Sequence, residues 1–240
     1  MTKRGILSLK KPAIKVKPLQ FEATQSAGKV SALLTLPKDA RWLLALAHGA
    51  GAGMRHRFMD QISEVLAGEG IGTFRYQFPY MESGSRRPDP KPVLYATVRS
   101  AISTAAKLAE GLPLLAGGKS MGGRMTSMAS AGESLDGVKG IVFVGFPLHP
   151  AGQPSTERAV HLQKVNVPML FLQGTRDTLA DLTLLKPVCK SLGKRATLQI
   201  IDGADHSFHV LKSSGTSDEA VLADLARRTR SWADLLENEA

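Results

Sequence analysis

A single serine stands between glycines in the segment GGKSMGG, residues 117–123. Ser120 follows an apolar run and precedes a run with helical spacing, so the pattern G-x-S-x-G is expected at a turn from a strand into a helix. A serine hydroxyl at such a turn is exposed and acts as a nucleophile when a base takes its proton. The alternative is a tight glycine turn without chemistry, because glycine tolerates backbone angles that other residues avoid.

A base and a carboxylate for this serine follow later apolar runs. Among the six histidines, His206 is the predicted base because it lies directly after the last apolar run, in GADHSF. Asp177, in GTRD after the preceding run, is the predicted carboxylate that orients the base. Asp181 falls in the next helical segment, and Asp205 is adjacent to His206 and is expected to point away from it. The sequence therefore predicts a triad of Ser120, Asp177 and His206.

Acyl transfer to a serine also needs two N–H donors for the negative charge that develops on the carbonyl oxygen. Met121 is expected to supply one of them from the start of the helix after the serine. Ala50 is expected to supply the other from HGAGAG, residues 48–53. The alternative for this glycine-rich loop is a phosphate cradle, but its spacing matches neither of the two common nucleotide-binding patterns.

The elements that must position these residues alternate along the chain. Two candidate strands, 13–21 and 28–37, precede six short apolar runs at 43–47, 71–76, 112–116, 138–145, 167–172 and 196–201. Between the runs, apolar residues recur with the spacing of a helix at 58–66, 96–109 and 182–192, and they do so again at the end of the chain. The last helix is expected to begin with a capping box from Thr216 to Glu219. This pattern predicts an α/β fold with a mostly parallel central sheet of about seven or eight strands and helices on both faces. Ligands bind beyond the carboxyl ends of such strands.

The composition sets outer limits on function. The chain has 240 residues, and residues 21–240 are expected to form one domain after a basic tail or edge segment at 1–20. The net charge of +10 comes in large part from six basic residues before Glu22, and no nucleic-acid motif accompanies it. A single cysteine, Cys189, fits a reducing compartment, and no apolar run reaches the length of a membrane span. We therefore expect a cytoplasmic protein with no specific nucleic-acid partner, metal or cofactor; a homodimer is left open.

HGAGAG, GKSMGG, GTRD and GADHSF, in this order, resemble the α/β-hydrolase superfamily over residues 28–238. The chain looks most similar to the small lidless hydrolases near the dienelactone hydrolases. FPLHP, after the sixth strand, also resembles a segment of that group. The resemblance implies Ser120 as nucleophile, Asp177 as acid and His206 as base. Dienelactone hydrolases use a cysteine nucleophile, so their substrate is not carried over. Residues 147–165, where larger relatives insert a lid, form a short segment here, which implies an open cleft.

The function implied is a serine hydrolase that cleaves a small ester or thioester through an acyl-enzyme. A peptidase or an acyltransferase would use the same triad, and a non-catalytic binding scaffold is the alternative of a different class. Basic residues near the predicted edge, Lys119 and Arg75 among them, would suit an anionic substrate, unless they face water or cap carbonyls. Candidate substrate contacts also include His149, which could instead bond to a backbone carbonyl, and Phe78, which could instead fill the core. His209, three residues after His206, is a further candidate as a wall of the pocket.

Overall fold

The computed structural model describes residues 15–238, with the surroundings of side chains described up to residue 237. One eight-stranded sheet runs through the molecule in the order β1-β2-β4-β3-β5-β6-β7-β8. Its strands are β1 Val16–Thr24, β2 Gly28–Thr35, β3 Trp42–Ala47, β4 Ile71–Tyr76, β5 Leu114–Lys119, β6 Val138–Val144, β7 Met169–Gly174 and β8 Ala196–Ile201. β2 is antiparallel to β1 and to β4, and every pair from β4 to β8 is parallel.

Six α-helices flank this sheet. They are α1 Arg57–Gly68, α2 Pro79–Glu82, α3 Lys91–Leu108, α4 Met121–Gly132, α5 Leu182–Ser191 and α6 Asp218–Asn238. Short 3₁₀ helices occupy Glu157–Lys164, Gly193–Arg195 and Lys212–Ser214. In β3, Leu43 and Ala45 pack toward α3 and α4, whereas Leu44 and Leu46 pack toward α1 and α6. Helices therefore cover both faces, which explains why the central strands read as continuous apolar runs.

Several element boundaries differ from the sequence-based expectation. α3 begins at Lys91, five residues before the predicted start, because a proline is tolerated in the first turn of a helix. At α6 the capping serine is Ser217, whose Oγ accepts from the N–H of Ala220 at 3.2 Å, so the expected capping box at Thr216 was wrong. The strand expected at 13–21 is Val16–Thr24 and lies at the edge of the sheet, overlapping the segment expected as a tail or an edge segment. Residues 1–14 lie outside the described residues.

The loops that carry the predicted motifs meet at one edge of the sheet because the strands before them are parallel neighbours. Between β6 and β7, where a lid was expected to be absent, the chain forms loops and the 3₁₀ helix Glu157–Lys164. The site edge is therefore open over the part of the chain that the structure describes. None of the helices within residues 15–238 is both long and apolar enough to cross a membrane.

Candidate active site

Ser120 sits at a sharp turn between β5 and α4, with φ 51° and ψ −118°. A serine rarely adopts this backbone conformation, and such strain collects at functional sites. The turn is possible because glycines flank it: a Cβ at Gly118 would lie 2.5 Å from the carbonyl oxygen of Ala47, and one at Gly122 would lie 2.6 Å from the same atom. These glycines let α4 start against β3 and leave the Ser120 hydroxyl at the sheet edge.

The three residues predicted as a triad are brought together in one hydrogen-bonded relay. The Ser120 Oγ lies 2.8 Å from Nε2 of His206, and Nδ1 of His206 lies 2.7 Å from Oδ2 of Asp177. The Asp177 side chain is fully buried, while 22% of the His206 side chain is exposed. With the ring hydrogen on Nδ1, Asp177 fixes the imidazole so that Nε2 can accept the hydroxyl proton.

Gln173 supports Asp177 and was missed by the sequence reasoning. Its amide Nε2 donates to Oδ2 of Asp177, and its Oε1 accepts from the N–H of Phe146 at 2.9 Å. The other carboxylate oxygen, Oδ1, accepts from the N–H of Leu179 at 2.8 Å. Gln173 is fully buried and is the one polar side chain of β7, which is the signal that could have identified it.

The loop after β3 lies against the elbow, since a Cβ at Gly49 would be 3.7 Å from the Cβ of Ser120. In this loop the N–H of Gly51 donates to a tyrosine hydroxyl at 3.1 Å, and that of Ala52 donates to the Gly49 carbonyl at 3.3 Å. Among the hydrogen bonds of the described residues, none is donated by the N–H of Ala50. Ala50, which also lines the cleft, is thus available as the predicted donor.

Met121 is the first residue of α4, directly after the serine. The N–H groups of the first helical turn have no partner within the helix, and the helix dipole favours negative charge there. The structure thus places Met121 and Ala50, the two predicted donors, in adjoining segments beside Ser120.

Lys119, which precedes the serine, is packed inside the site. Its Nζ donates to the carbonyl oxygen of His206 at 2.7 Å. The same nitrogen lies 5.7 Å from the ring centre of Phe58 and 5.8 Å from that of Phe208, within the range of cation–π attraction. Lys119 therefore holds the backbone of the base, and it also lines the cleft, where it was predicted to contact substrate.

Burial lowers the pKa of Lys119 from 10.5 to about 8, against the opposing effects of Asp177 and Asp205. Between these two values the unfolded chain holds a proton that the native protein has released, so native stability rises as the pH increases through this range. Below it, the buried charge lowers stability.

Lys119→Met removes this titration and keeps most of the apolar stem. We expect the free energy of unfolding of the parent, relative to that of Lys119→Met, to increase by about 3 kcal/mol between about pH 7 and about pH 10. Urea unfolding of both proteins at each pH measures this difference, in which shared titrations cancel. A difference that does not change with pH would contradict the buried position of the ammonium.

His48, at the end of β3, has a structural role that the sequence reasoning did not identify. It is fully buried, and desolvation lowers its pKa to about 4, with an opposing effect of the Gly49 carbonyl. Its Nδ1 lies 2.8 Å from that carbonyl, and its Nε2 accepts from the N–H of Phe78 at 3.2 Å. His48 therefore ties the loop of Ala50 to the segment after β4.

Three of the residues predicted to contact substrate do not line the cleft beside Ser120. Phe78 is fully buried and packs its ring edge-on to His48, so it fills the core. Arg75 is 2% exposed, forms an ion pair with Asp60 and donates to a backbone carbonyl. His149 is buried between two backbone groups, with Nε2 accepting from the N–H of Asp181 at 2.9 Å. None of the three is among the residues that line the cleft, so the structure does not support their predicted contacts with substrate.

The cleft beside Ser120 has a volume of about 590 Å³ and is formed by the loops after β3, β5, β7 and β8 and the starts of α1 and α6. His209 lines it, as predicted, and pairs with Asp218 at 2.9 Å. The hydrogen bond and charge of Asp218 raise the pKa of His209, and His209 in turn lowers the pKa of Asp218. Since Arg57 and Glu219 also line the cleft, its charges are mixed.

Within the described residues, no group of three or more His, Cys, Asp or Glu side chains is placed to hold a metal ion.

Comparison with known proteins identifies the family. A model of the α/β-hydrolase domain matches residues 40–234, and the chain belongs to this family. The sequence-based prediction of the α/β-hydrolase fold is thus confirmed.

Solved structures share the same fold at low sequence identity. The chain is similar to a dienelactone hydrolase from Anabaena variabilis, with a TM-score of 0.70 and 20% identity over 91% of this chain and 96% of that chain. A lidless α/β serine hydrolase from Xanthomonas campestris matches with a TM-score of 0.70 and 17% identity over 91% and 95%. A cold-adapted esterase from an Arctic intertidal metagenomic library matches with a TM-score of 0.65 and 18% identity over 92% and 95%. At these identities the similarity establishes the fold alone.

Proposed function

We propose that this protein is a serine hydrolase that cleaves a small ester or thioester through an acyl-enzyme on Ser120. The observation that carries the proposal is the relay from Ser120 through His206 to Asp177, in which both hydrogen-bond distances are 2.8 Å or less. A complete relay also argues against a scaffold without chemistry, because such a scaffold has no need to hold a base against a serine.

For each step of the proposed reaction, this arrangement contains a chemical group that can perform it. Nε2 of His206 takes the Ser120 proton while Oγ bonds to the acyl carbon, and the carbonyl oxygen takes up negative charge. The N–H groups of Met121 and Ala50 donate to that oxygen. The imidazolium then gives its proton to the leaving alcohol or thiol as the bond to it breaks. In the second half, His206 takes a proton from water while the water oxygen bonds to the acyl carbon. The imidazolium then gives this proton to Oγ of Ser120 as the bond between Oγ and the acyl carbon breaks, which releases the acid.

Hydrolysis fits the site better than transfer to a second substrate. His206 is 22% exposed and lies in an open cleft, so water reaches Nε2. The cleft volume of about 590 Å³ suits a small substrate. An esterase and a dienelactone hydrolase among the proteins of the same fold support an ester as the substrate class.

A fluorophosphonate probe tests for the activated serine, because it modifies a serine only where a base and an oxyanion hole activate it. We expect one adduct by intact mass on the parent, none on Ser120→Ala and a weak signal on His206→Ala. Ser134→Ala is the matched control, since Ser134 is exposed and does not line the cleft, and it should be labelled like the parent. A folded parent that takes up no probe would contradict the proposal and favour the binding scaffold.

A further inference from the structure

Three cationic side chains and one histidine lie on α4 and on two elements packed against it, and none of the four lines the cleft. Arg124 comes from α4, Lys91 from the start of α3, and Arg158 and His161 from the 3₁₀ helix Glu157–Lys164. We call these four residues the Arg124 cluster. Nε2 of His161 lies 2.8 Å from Oγ of the buried Ser127, which fixes the 3₁₀ helix against α4. His161 is half-buried in this contact.

The charge of this cluster is not balanced. Burial and the charge of Arg158 lower the pKa of Arg124, and only Tyr95 acts in the opposite direction. Burial and the charges of Arg124 and Lys91 lower the pKa of His161 to about 4, against the opposing effect of a hydrogen bond to the backbone of Arg158. Within residues 15–238, no carboxylate forms an ion pair with Arg124, Arg158 or Lys91. In the same part of the chain, the buried Nε of Arg124 has no hydrogen-bond partner.

Such an arrangement costs free energy unless an anion completes it. Partly buried charges are normally paired, and removing a counter-charge leaves desolvation and repulsion without compensation. A carboxylate or phosphate accepts hydrogen bonds from a guanidinium in a forked geometry, and these bonds are strengthened by charge. Arg124 and Arg158 are half-buried and Lys91 is exposed, so an anion can reach the cluster from solvent.

Arg124 belongs to the first turn of α4, next to the proposed nucleophile. The N–H of Arg124 donates to the carbonyl oxygen of Ser120 at 3.2 Å, so the two residues are one helical turn apart. Four residues advance the backbone by about 6 Å along the helix axis, so Arg124 lies at the end of α4 that carries Ser120. We propose that the Arg124 cluster binds an oxyanionic group, a carboxylate or a phosphate, and, given the proposed function, that this group belongs to the ester substrate.

Anion binding is tested first without turnover, in the Ser120→Ala background. Sodium acetate and sodium phosphate are titrated against thermal unfolding, with sodium chloride at equal ionic strength as reference. We expect Tm to rise by about 4 °C at ten times Kd, and the more effective anion identifies the group. Adding Arg124→Gln or Arg158→Gln should abolish the rise, whereas Arg55→Gln, an exposed arginine that does not line the cleft, should keep it. No rise above chloride with either anion would overturn the proposal.

His161 supplies a readout that a merely structural role for Arg124 would not produce. An anion on the cluster offsets the repulsion from Arg124 and Lys91, so the pKa of His161 in an NMR titration should move upward from about 4 when the effective anion is present. A His161 titration that is the same in chloride and in acetate and phosphate would contradict binding at this place.

Kinetics then connect the cluster to the substrate. p-Nitrophenyl butyrate and the mono-p-nitrophenyl ester of glutaric acid differ in one terminal carboxylate. We expect Arg124→Gln to raise KM for the anionic ester by about tenfold and to leave the neutral ester unchanged. Anion binding without turnover of either ester would refute the proposed function and keep the anion site. Turnover of the neutral ester without anion binding would refute the site and keep the function. Equal losses with both esters would refute the link between the cluster and the substrate.

Discussion

Exchange of Asp177 for Asn is expected to lower kcat for a neutral ester by about four orders of magnitude, with little change in Tm. The carboxylate accepts from Nδ1 of His206 through Oδ2 and from the N–H of Leu179 through Oδ1. Both acceptors are needed, because the first sets which nitrogen of the imidazole carries the hydrogen and the second holds the carboxylate in place.

An amide cannot replace both acceptors. If the oxygen of the introduced amide faces Leu179, its NH₂ group faces His206 and forces the ring hydrogen onto Nε2, which then cannot take the Ser120 proton. It would also face the NH₂ group of Gln173, which donates to Oδ2 in the parent. If the amide is turned the other way, its NH₂ group meets the N–H of Leu179. In that orientation the oxygen still accepts from Nδ1 of His206, but the side chain loses its anchor at Leu179 and the negative charge that stabilises the imidazolium. The shape is kept in either orientation, while the imidazolium is no longer stabilised.

Asp205→Asn is the matched control for this exchange. Asp205 adjoins His206 in the sequence, but its Oδ1 accepts from the backbone N–H groups of Ser207 and His209, which an amide oxygen can also do. We expect its kcat to stay within a few-fold of the parent. Steady-state kinetics on one ester, together with Tm for each protein, make the comparison. A decrease in Asp177→Asn no larger than that in Asp205→Asn would show that the relay is not used.

The sheet and the proposed triad could be predicted because both follow from local pattern and chain order. Buried parallel strands are apolar on both faces, so they stand out as short runs, and the residues after them must meet at one edge. Ser120, Asp177 and His206 each lie within five residues of the end of such a run. No knowledge of side-chain packing was needed to bring the three residues together.

The predicted pocket walls failed because side-chain direction depends on distant partners. Arg75 belongs to a strand with both faces buried, so alternation could not show which side it takes. Its partners, Asp60 and the Met54 carbonyl, lie 15 and 21 residues earlier in the chain. His149 similarly bonds to the N–H of Asp181, 32 residues away. Contacts of this kind follow from the tertiary fold and leave no local trace in the sequence.

The surroundings of charged side chains could not be predicted from the sequence either, because they also depend on the tertiary fold. The sequence shows that Lys119 stands beside the serine, but its burial depends on Phe58 and Phe208, which come from α1 and from the loop of the base. Likewise, the sequence shows Arg124 as one of several basic residues, and only the packing of α4 against a 3₁₀ helix brings the charge of Arg158 to act on it. The number of charged residues can be counted in the sequence, but which groups surround each of them depends on how the elements pack.

Gly122→Ala is expected to lower the free energy of unfolding by about 3 kcal/mol, because overpacking against backbone cannot be relieved by a rotamer change. A Cβ at this position would lie 2.6 Å from the carbonyl oxygens of both Ala47 and His48. α4 would have to move away from the end of β3. That movement would also separate the N–H of Met121 from the loop of Ala50, so fluorophosphonate labelling of the folded fraction should decrease as well.

Gly132→Ala makes the same chemical change at the other end of α4. A Cβ there meets no atom within 4 Å, and the residue is helical, so this exchange should be neutral or stabilise the protein by about 0.5 kcal/mol. Urea unfolding of the two variants and the parent separates the effect of contact from that of helix propensity. If both exchanges shift stability alike, the close approach of α4 to β3 is not what requires glycine at position 122. A loss confined to Gly122→Ala would instead show that the geometry of the elbow depends on that approach.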